Sequence, residues 1–283
     1  MIGWERKRVT TNRGAFEYFV SGTGPPLCVT HFYSAFTDKG NYFADMFCER
    51  FQVYLINLKD AGNSDKPNDE SELSMLESVR DLEEIRESLQ LDSWSFAGHS
   101  TGGMLGLLYA VHYGASLHLL IAVGAAASDD YMRHEDSIYC IANSNNKRLK
   151  EIFTILRESE SKEEIAAAAR EWTEMSLHHP ERWDRYFSRP SSGRTVQSRL
   201  NYYNKHLKNY DIRSLLSRIK SPSLIMCGRY DAQCPVSFSE EIHRLIHEST
   251  LVILEDSNHC PHLEEPESFL KAVYSFFHHR GDV

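Results

Sequence analysis

The five residues Gly98-His99-Ser100-Thr101-Gly102 constrain the chain more than any other stretch. They follow Trp94-Ser95-Phe96-Ala97, an alternating segment of strand character, and they precede residues 103–110, an apolar run of helical character. A serine between two glycines at a strand-to-helix junction implies a turn too tight for bulky neighbours. Such a turn lifts the Ser100 hydroxyl above the sheet and aims the backbone N–H groups that follow it into the same space. The five-residue pattern alone also arises by chance, and a small residue at the start of a helix is equally at home in a phosphate loop. Chemistry requires partners elsewhere in the chain.

Two later segments supply them. Residues 224–228 read as a buried strand, and Asp231 follows within Gly228-Arg229-Tyr230-Asp231-Ala232-Gln233-Cys234-Pro235. Residues 250–254 read as another strand, and His259 follows within Asn258-His259-Cys260-Pro261-His262-Leu263-Glu264-Glu265-Pro266-Glu267. Serine, then acid, then histidine, the last two just past strand ends, is the chain order of the α/β-hydrolases. With these three motifs the sequence resembles that superfamily along nearly its whole length, in the serine-hydrolase branch with a helical cap. The stretch around Asp231 is also similar to the acid motif of proline-iminopeptidase-like members.

The residue types fit one reaction. A serine hydroxyl is a poor nucleophile at neutral pH, so a base must take its proton during attack. An imidazole, with an ordinary pKa near ~6.5, can accept that proton and return it. His259 is the candidate base, and Asp231 would fix its tautomer and stabilise its cation. His262 is the competing base; Asp256, Asp129 and Asp130 are competing acids. His99 adjoins the nucleophile and reads as a packing residue or the donor of a local hydrogen bond. The resemblance implies two oxyanion donors, the N–H groups of Thr101 and of Phe32, the latter in the loop His31-Phe32-Tyr33-Ser34. His31 and Tyr33 are then candidate substrate-binding residues. An aromatic wall from Phe32 and Tyr33 would favour uncharged acyl groups.

Elsewhere the alternation of strand and helix patterns implies an α/β fold: a mostly parallel sheet with helices on both faces. Residues 6–11 and 14–20 read as an antiparallel hairpin, 27–30 and 51–58 as buried strands, and 117–124 as the strand after the serine's helix. Residues 74–89 form a predicted helix that opens with Ser74 and Glu77 as a capping box, with Val79, Leu82, Ile85 and Leu89 on one face. From 125 to 211 no strand pattern appears, only helical segments such as 161–177, again opening with a capping box, and many aromatics. The predicted organisation is a hydrolase core of residues 1–124 and 212–283 with a helical cap, 125–211, inserted after the sixth strand.

Composition narrows the function classes. A net charge of −9 opposes binding to nucleic acid or to an anionic membrane surface. Residues 117–127, the longest apolar stretch, include His118 and are too short to span a bilayer. The six cysteines show no Cys-x-x-Cys pair and read as reduced, and the charged N-terminus shows no signal-peptide pattern. Both expectations suit a cytoplasmic protein. The pairs His178-His179 and His278-His279 read as solvated surface, because adjacent residues on a helix do not face one ligand site. No metal or organic cofactor is implied.

After the fourth strand the family usually has Asp-x-Arg-Gly-x-Gly-x-Ser. Residues 57–64, Asn-Leu-Lys-Asp-Ala-Gly-Asn-Ser, keep only the later glycine and serine. Those positions brace loops, so catalysis is not at issue. The expected function is a serine hydrolase that cleaves a small ester, thioester or related acyl bond through an acyl-enzyme, with a small molecule as its partner and the oligomeric state open. One alternative is a proline-iminopeptidase-like aminopeptidase, with Glu171 or Glu174 in the cap binding the substrate amine. Another, of a different class, is a slow or non-catalytic small-molecule receptor on the same fold.

Overall fold

The computed structural model describes residues 3–278, so Met1, Ile2 and His279 lie outside the described residues. The chain opens with an antiparallel hairpin, β1 (Glu5–Thr11) and β2 (Gly14–Ser21). It continues through β3 (Pro26–Val29), the two-residue β4 (Ser34–Ala35), the short helix α1 (Tyr42–Asp45) and β5 (Gln52–Ile56). Next come α2 (Met75–Ser88), β6 (Trp94–His99), α3 (Thr101–Tyr113) and β7 (Leu117–Val123). Helices α4 (Asn146–Glu158), α5 (Lys162–Glu174), α6 (Trp183–Tyr186) and α7 (Gln197–His206) follow, with β8 (Arg194–Thr195) between the last two. The chain then runs through β9 (Ser223–Gly228), α8 (Val236–Leu245), β10 (Ser249–Leu254), α9 (Pro261–Glu264) and α10 (Pro266–His278).

One eight-stranded sheet carries the fold, in the order β1-β2-β5-β3-β6-β7-β9-β10. Strand β2 pairs antiparallel with β1 and β5, and the remaining pairs are parallel. The near-continuous apolar runs of the central strands have a simple cause: both faces of the sheet are covered, so successive side chains enter opposite cores. Cys28, Tyr54, Ile56, Phe96, Leu120 and Ile225 join one buried cluster. Their neighbours Leu27, Val29, Val53, Leu55, Ala97, Ile121 and Leu224 join the other.

Helix α2 follows its pattern, with Val79, Leu82 and Ile85 fully buried. Ser74 Oγ accepts from Glu77 N at 3.1 Å, the half of a capping box that stabilises a helix start by about 1 kcal/mol. The Glu77 carboxylate is drawn instead to Arg13 Nη2, at 2.6 Å, and to Arg80. Helix α5 repeats this arrangement: Ser161 Oγ accepts from Glu164 N at 3.2 Å, while Glu164 Oε2 accepts from Ser159 Oγ at 2.6 Å.

Between β7 and β9 the sequence predicts helices alone. The structure corrects this: Arg194 and Thr195 of β8 pair with Ala35 and Ser34 of β4, and Ser128 bridges Asp211. Two residues are too few to display a period of two, so this strand left no pattern in the sequence. No helix among the described residues is long and apolar enough to cross a membrane.

Candidate active site

Five loops meet beyond the carboxyl ends of β3, β6, β7, β9 and β10, where open parallel sheets bind ligands. Ser100 stands at the end of β6 with φ 56° and ψ −123°. A side chain in this region costs about 1–3 kcal/mol, so the surroundings must impose it. They do: Ser100 N donates to Val123 O at 2.8 Å, and Ser100 O accepts from Met104 N at 3.0 Å. The flanking glycines are required by contact. A Cβ on Gly98 would lie 2.2 Å from the carbonyl oxygen of Gly102.

Past β9, Asp231 is buried, and both its oxygens lie 2.9 Å from His259 Nδ1. Its Oδ1 also accepts from Gln233 N at 2.9 Å and from Cys234 N at 2.8 Å. These donors hold the carboxylate toward the ring, and Gly124 leaves room for the pair. A Cβ there would sit 3.1 Å from Asp231 Oδ2 and 3.2 Å from the imidazole. His259 Nε2 is buried and has no hydrogen-bond partner among the described residues, so Ser100 Oγ does not bond to it in this state. Such contacts are often long in ligand-free sites and tighten when substrate binds.

The His259 loop is held from three sides. His99 Nε2 bonds to the His259 carbonyl at 2.7 Å, a contact across 160 residues rather than the local one expected from the sequence. Glu264 Oε2 accepts from Asn258 N at 2.8 Å, while its Oε1 accepts from the backbone of His178 and His179. His259 N donates to Ser176 O at 3.2 Å. The glutamate of the histidine motif therefore ties the loop to the turn after α5.

The loop of the candidate oxyanion donor Phe32 is equally fixed. His31 uses both ring nitrogens, Nδ1 with Ser34 Oγ at 2.8 Å and Nε2 with Thr101 Oγ1 at 3.0 Å. Burial pushes its pKa down to about 3, so the ring is neutral. Thr101 N–H lies in the first turn of α3, where helix donors lack intrahelical partners. Asn57 Oδ1 accepts from Phe36 N at 2.7 Å, which explains how the altered motif still braces this loop. Tyr33 lies edge-on to His31, with ring centroids 4.5 Å apart, and burial raises its hydroxyl to about 12. Phe32 departs from expectation. Its ring is buried between the Arg199 guanidinium, 4.8 Å away, and Tyr203 at 5.9 Å, so it forms no wall for an acyl group.

The competing residues lie elsewhere. Asp129 and Asp130 pair with Arg133. Asp256 is exposed and meets His179 Nε2 at 3.0 Å. His262 is buried against Phe43 and His99, and burial lowers its pKa to about 3. His178 and His179 need a correction. They follow α5 in a turn, half-buried, and both face Asp256, at 3.7 and 3.0 Å, because a turn does not splay neighbours as a helix does. His278 is exposed at the end of α10.

A cavity of about 730 Å³ opens beside the serine turn, with His31, His99 and His262 among its lining and Lys39 and Arg194 also facing it. Glu171 and Glu174 are engaged outside it, Glu171 with Arg148 at 2.6 and 2.7 Å and Glu174 with Arg170 at 2.8 Å.

Arg199 of α7 is the residue that sequence reasoning missed. It is fully buried and donates to Phe32 O, to Lys59 O at 3.0 Å and to Ser78 Oγ at 2.7 Å. Burial lowers its pKa to about 10, with Asp81 and Asp60 opposing, so it keeps its charge at neutral pH. No signal marks it, since an arginine on a polar helix is exposed by default.

A family model described as alpha/beta hydrolase fold matches residues 35–266. Among solved structures, an alpha/beta fold family hydrolase from Bacillus anthracis str. Sterne aligns with a TM-score of 0.95 and 47% identity, covering 97% of this chain and 99% of that one. Among curated proteins, a proline iminopeptidase from Heyndrickxia coagulans is 26% identical over 285 residues, 95% of this chain and 96% of the relative. Another proline iminopeptidase, from Saccharolobus solfataricus, is 28% identical over 243 residues, 82% of this chain and 78% of the relative.

Proposed function

The chain belongs to the α/β-hydrolase fold family, and from that premise we propose that it is a serine hydrolase that cleaves a small ester, thioester or related acyl bond through an acyl-enzyme on Ser100. The observation that carries this reading is the backbone of Ser100, held in the left-handed region at the mouth of the loops that bear Asp231 and His259. Strain of that kind persists where a side chain must be presented in one direction.

In the proposed cycle Ser100 Oγ attacks the carbonyl carbon as His259 Nε2 takes the hydroxyl proton. Asp231 stabilises the resulting imidazolium through Nδ1–H. The carbonyl oxygen becomes an oxyanion facing the N–H groups of Phe32 and Thr101, donors whose individual loss typically costs about 10²–10³ in rate. Collapse breaks the acyl–leaving-group bond, and the proton on Nε2 passes to the leaving oxygen or sulfur. Water then attacks the acyl-enzyme by the same route, releasing the acid and restoring Ser100. Residues 125–211 act in this reading as the cap over the site.

A second reading, aminoacyl hydrolysis, is favoured by the curated relatives named as proline iminopeptidases. An aminopeptidase must hold a cationic amine, and an unpaired charge in a dry pocket is costly by several kcal/mol. The pairing of Glu171 and Glu174 with arginines supports the acyl-ester reading over this one. Stopped-flow hydrolysis of p-nitrophenyl butyrate should give a burst of nitrophenolate followed by slower turnover, with little release from proline p-nitroanilide. Cleavage of the anilide without ester turnover would establish the second reading. Absence of both activities and of covalent labelling would favour the receptor.

A further inference from the structure

The cavity lined by His31, His99 and His262 has an unusual charge balance for this chain. None of the residues that line it is Asp or Glu, although the protein carries a net charge of −9. Lys39 and Arg194 both face it, and among the described residues no carboxylate lies within 4.0 Å of either side chain's nitrogens.

The backbone joins the segments that carry the two cations. Arg194 pairs with Ala35 across β4 and β8, while Ser192 N donates to Gly40 O at 3.0 Å, next to Lys39. Thr37 N donates to Ser192 Oγ at 3.0 Å and Asn41 Nδ2 to Ser192 O at 2.8 Å. This lacing joins the strap before α7 to the loop after β4 and fixes where both side chains start.

We infer that Lys39 and Arg194 form an anion subsite, and that the substrates are esters or thioesters bearing a carboxylate at the end remote from the scissile bond. This rests on the serine-hydrolase reading and replaces the uncharged acyl group expected from the sequence. Two of the lining residues adjoin the proposed chemistry: His99 precedes Ser100 in the chain, and His31 bonds to Thr101 Oγ1. Burial keeps His31, His99 and His262 neutral, so Lys39 and Arg194 carry the charge of the lining. Cations in a cleft of an otherwise acidic protein focus the field and draw an anion to the site.

The test compares mono-4-nitrophenyl glutarate, which carries a terminal carboxylate, with 4-nitrophenyl pentanoate, which does not. The wild-type kcat/KM ratio of anionic to neutral ester should exceed about ten at low salt and shrink as salt screens the rim. In the Lys39→Ala/Arg194→Ala variant the ratio should fall toward one, with neutral-ester turnover within about twofold of wild type, and Arg194→Lys should keep most of the preference. A wild-type ratio near one, or a ratio unchanged in the double variant, overturns the subsite while leaving the hydrolase reading intact. Failure to turn over either ester counts against the hydrolase reading itself. Calorimetric binding of glutarate then decides the subsite alone: binding lost in the double variant supports it, and no binding to wild type overturns it.

Discussion

His99 Nε2 bonds to the main-chain carbonyl of His259 across 2.7 Å, so the residue before the serine anchors the residue proposed to take its proton. The bond couples the end of β6 to the loop after β10, two strands separated in the sheet by β7 and β9. Replacing His99 with Phe keeps a ring against Phe43 and His262 but removes the donor. We expect kcat to fall about tenfold, the equivalent of one hydrogen bond, with KM nearly unchanged. His99→Gln should recover part of the loss. Equal losses in both variants, matched by equal losses of thermal stability, would mean that His99 only packs.

Asp231 and His259 should behave as one unit with Ser100. Asp231→Asn should lower kcat by about 10³–10⁴, because the amide no longer favours the required tautomer. Adding Ser100→Ala to His259→Ala should cost little more than either change alone. Steady-state kinetics on an activated ester checks both. A near-normal Asp231→Asn variant alongside a crippled Asp256→Asn variant would move the acid role to Asp256.

Arg199 anchors Phe32 O and Lys59 O from α7. Arg199→Met leaves these buried carbonyls unpaired, and we expect a stability loss of about 2–4 kcal/mol in denaturant titration. Lysine cannot reproduce three divergent donors, so Arg199→Lys should restore less than half of it. Because the same contact positions Phe32, both variants should also show a smaller acyl-enzyme burst per folded molecule.

The buried histidines give stability a defined pH dependence. His262 titrates at about 3 in the folded chain and near ~6.5 when unfolded, so between these values only the unfolded state holds the extra proton. Stability is therefore complete above about 6.5 and is lost as pH falls through that window. From pH 7 to 5 the loss attributable to His262 is about 2 kcal/mol. His262→Phe, which keeps the ring contacts, should lose that much less than wild type over the same range in denaturant titrations. Identical slopes would show that His262 is protonated in the folded protein.

The sheet and the serine turn were legible because each rests on local pattern. Trp94 to His99 reads as strand, the glycines at 98 and 102 demand a close turn, and α3 is apolar on every side up to Ala110 because residues 101–110 are all buried. Asp231 and His259 were legible through their places after strands. What stayed hidden depends on contacts between distant segments. The direction of the Phe32 ring is set by Arg199, 167 residues away, and the meeting of His178 and His179 with Asp256 is set by a turn whose shape the sequence does not display. The charge balance of the cavity is likewise a property of the folded chain, since β4, β8 and the Ser192 contacts bring Lys39 and Arg194 into one lining.

The proposed function stands or falls on whether Ser100 forms the covalent intermediate. The most direct measurement is intact-protein and peptide mass spectrometry after treatment with a fluorophosphonate, on wild type and on Ser100→Ala. One adduct per chain is expected, located on the peptide that contains Ser100, with no adduct in the variant while its circular dichroism and melting temperature stay close to wild type. An adduct on any other residue, or one that persists in Ser100→Ala, would contradict it.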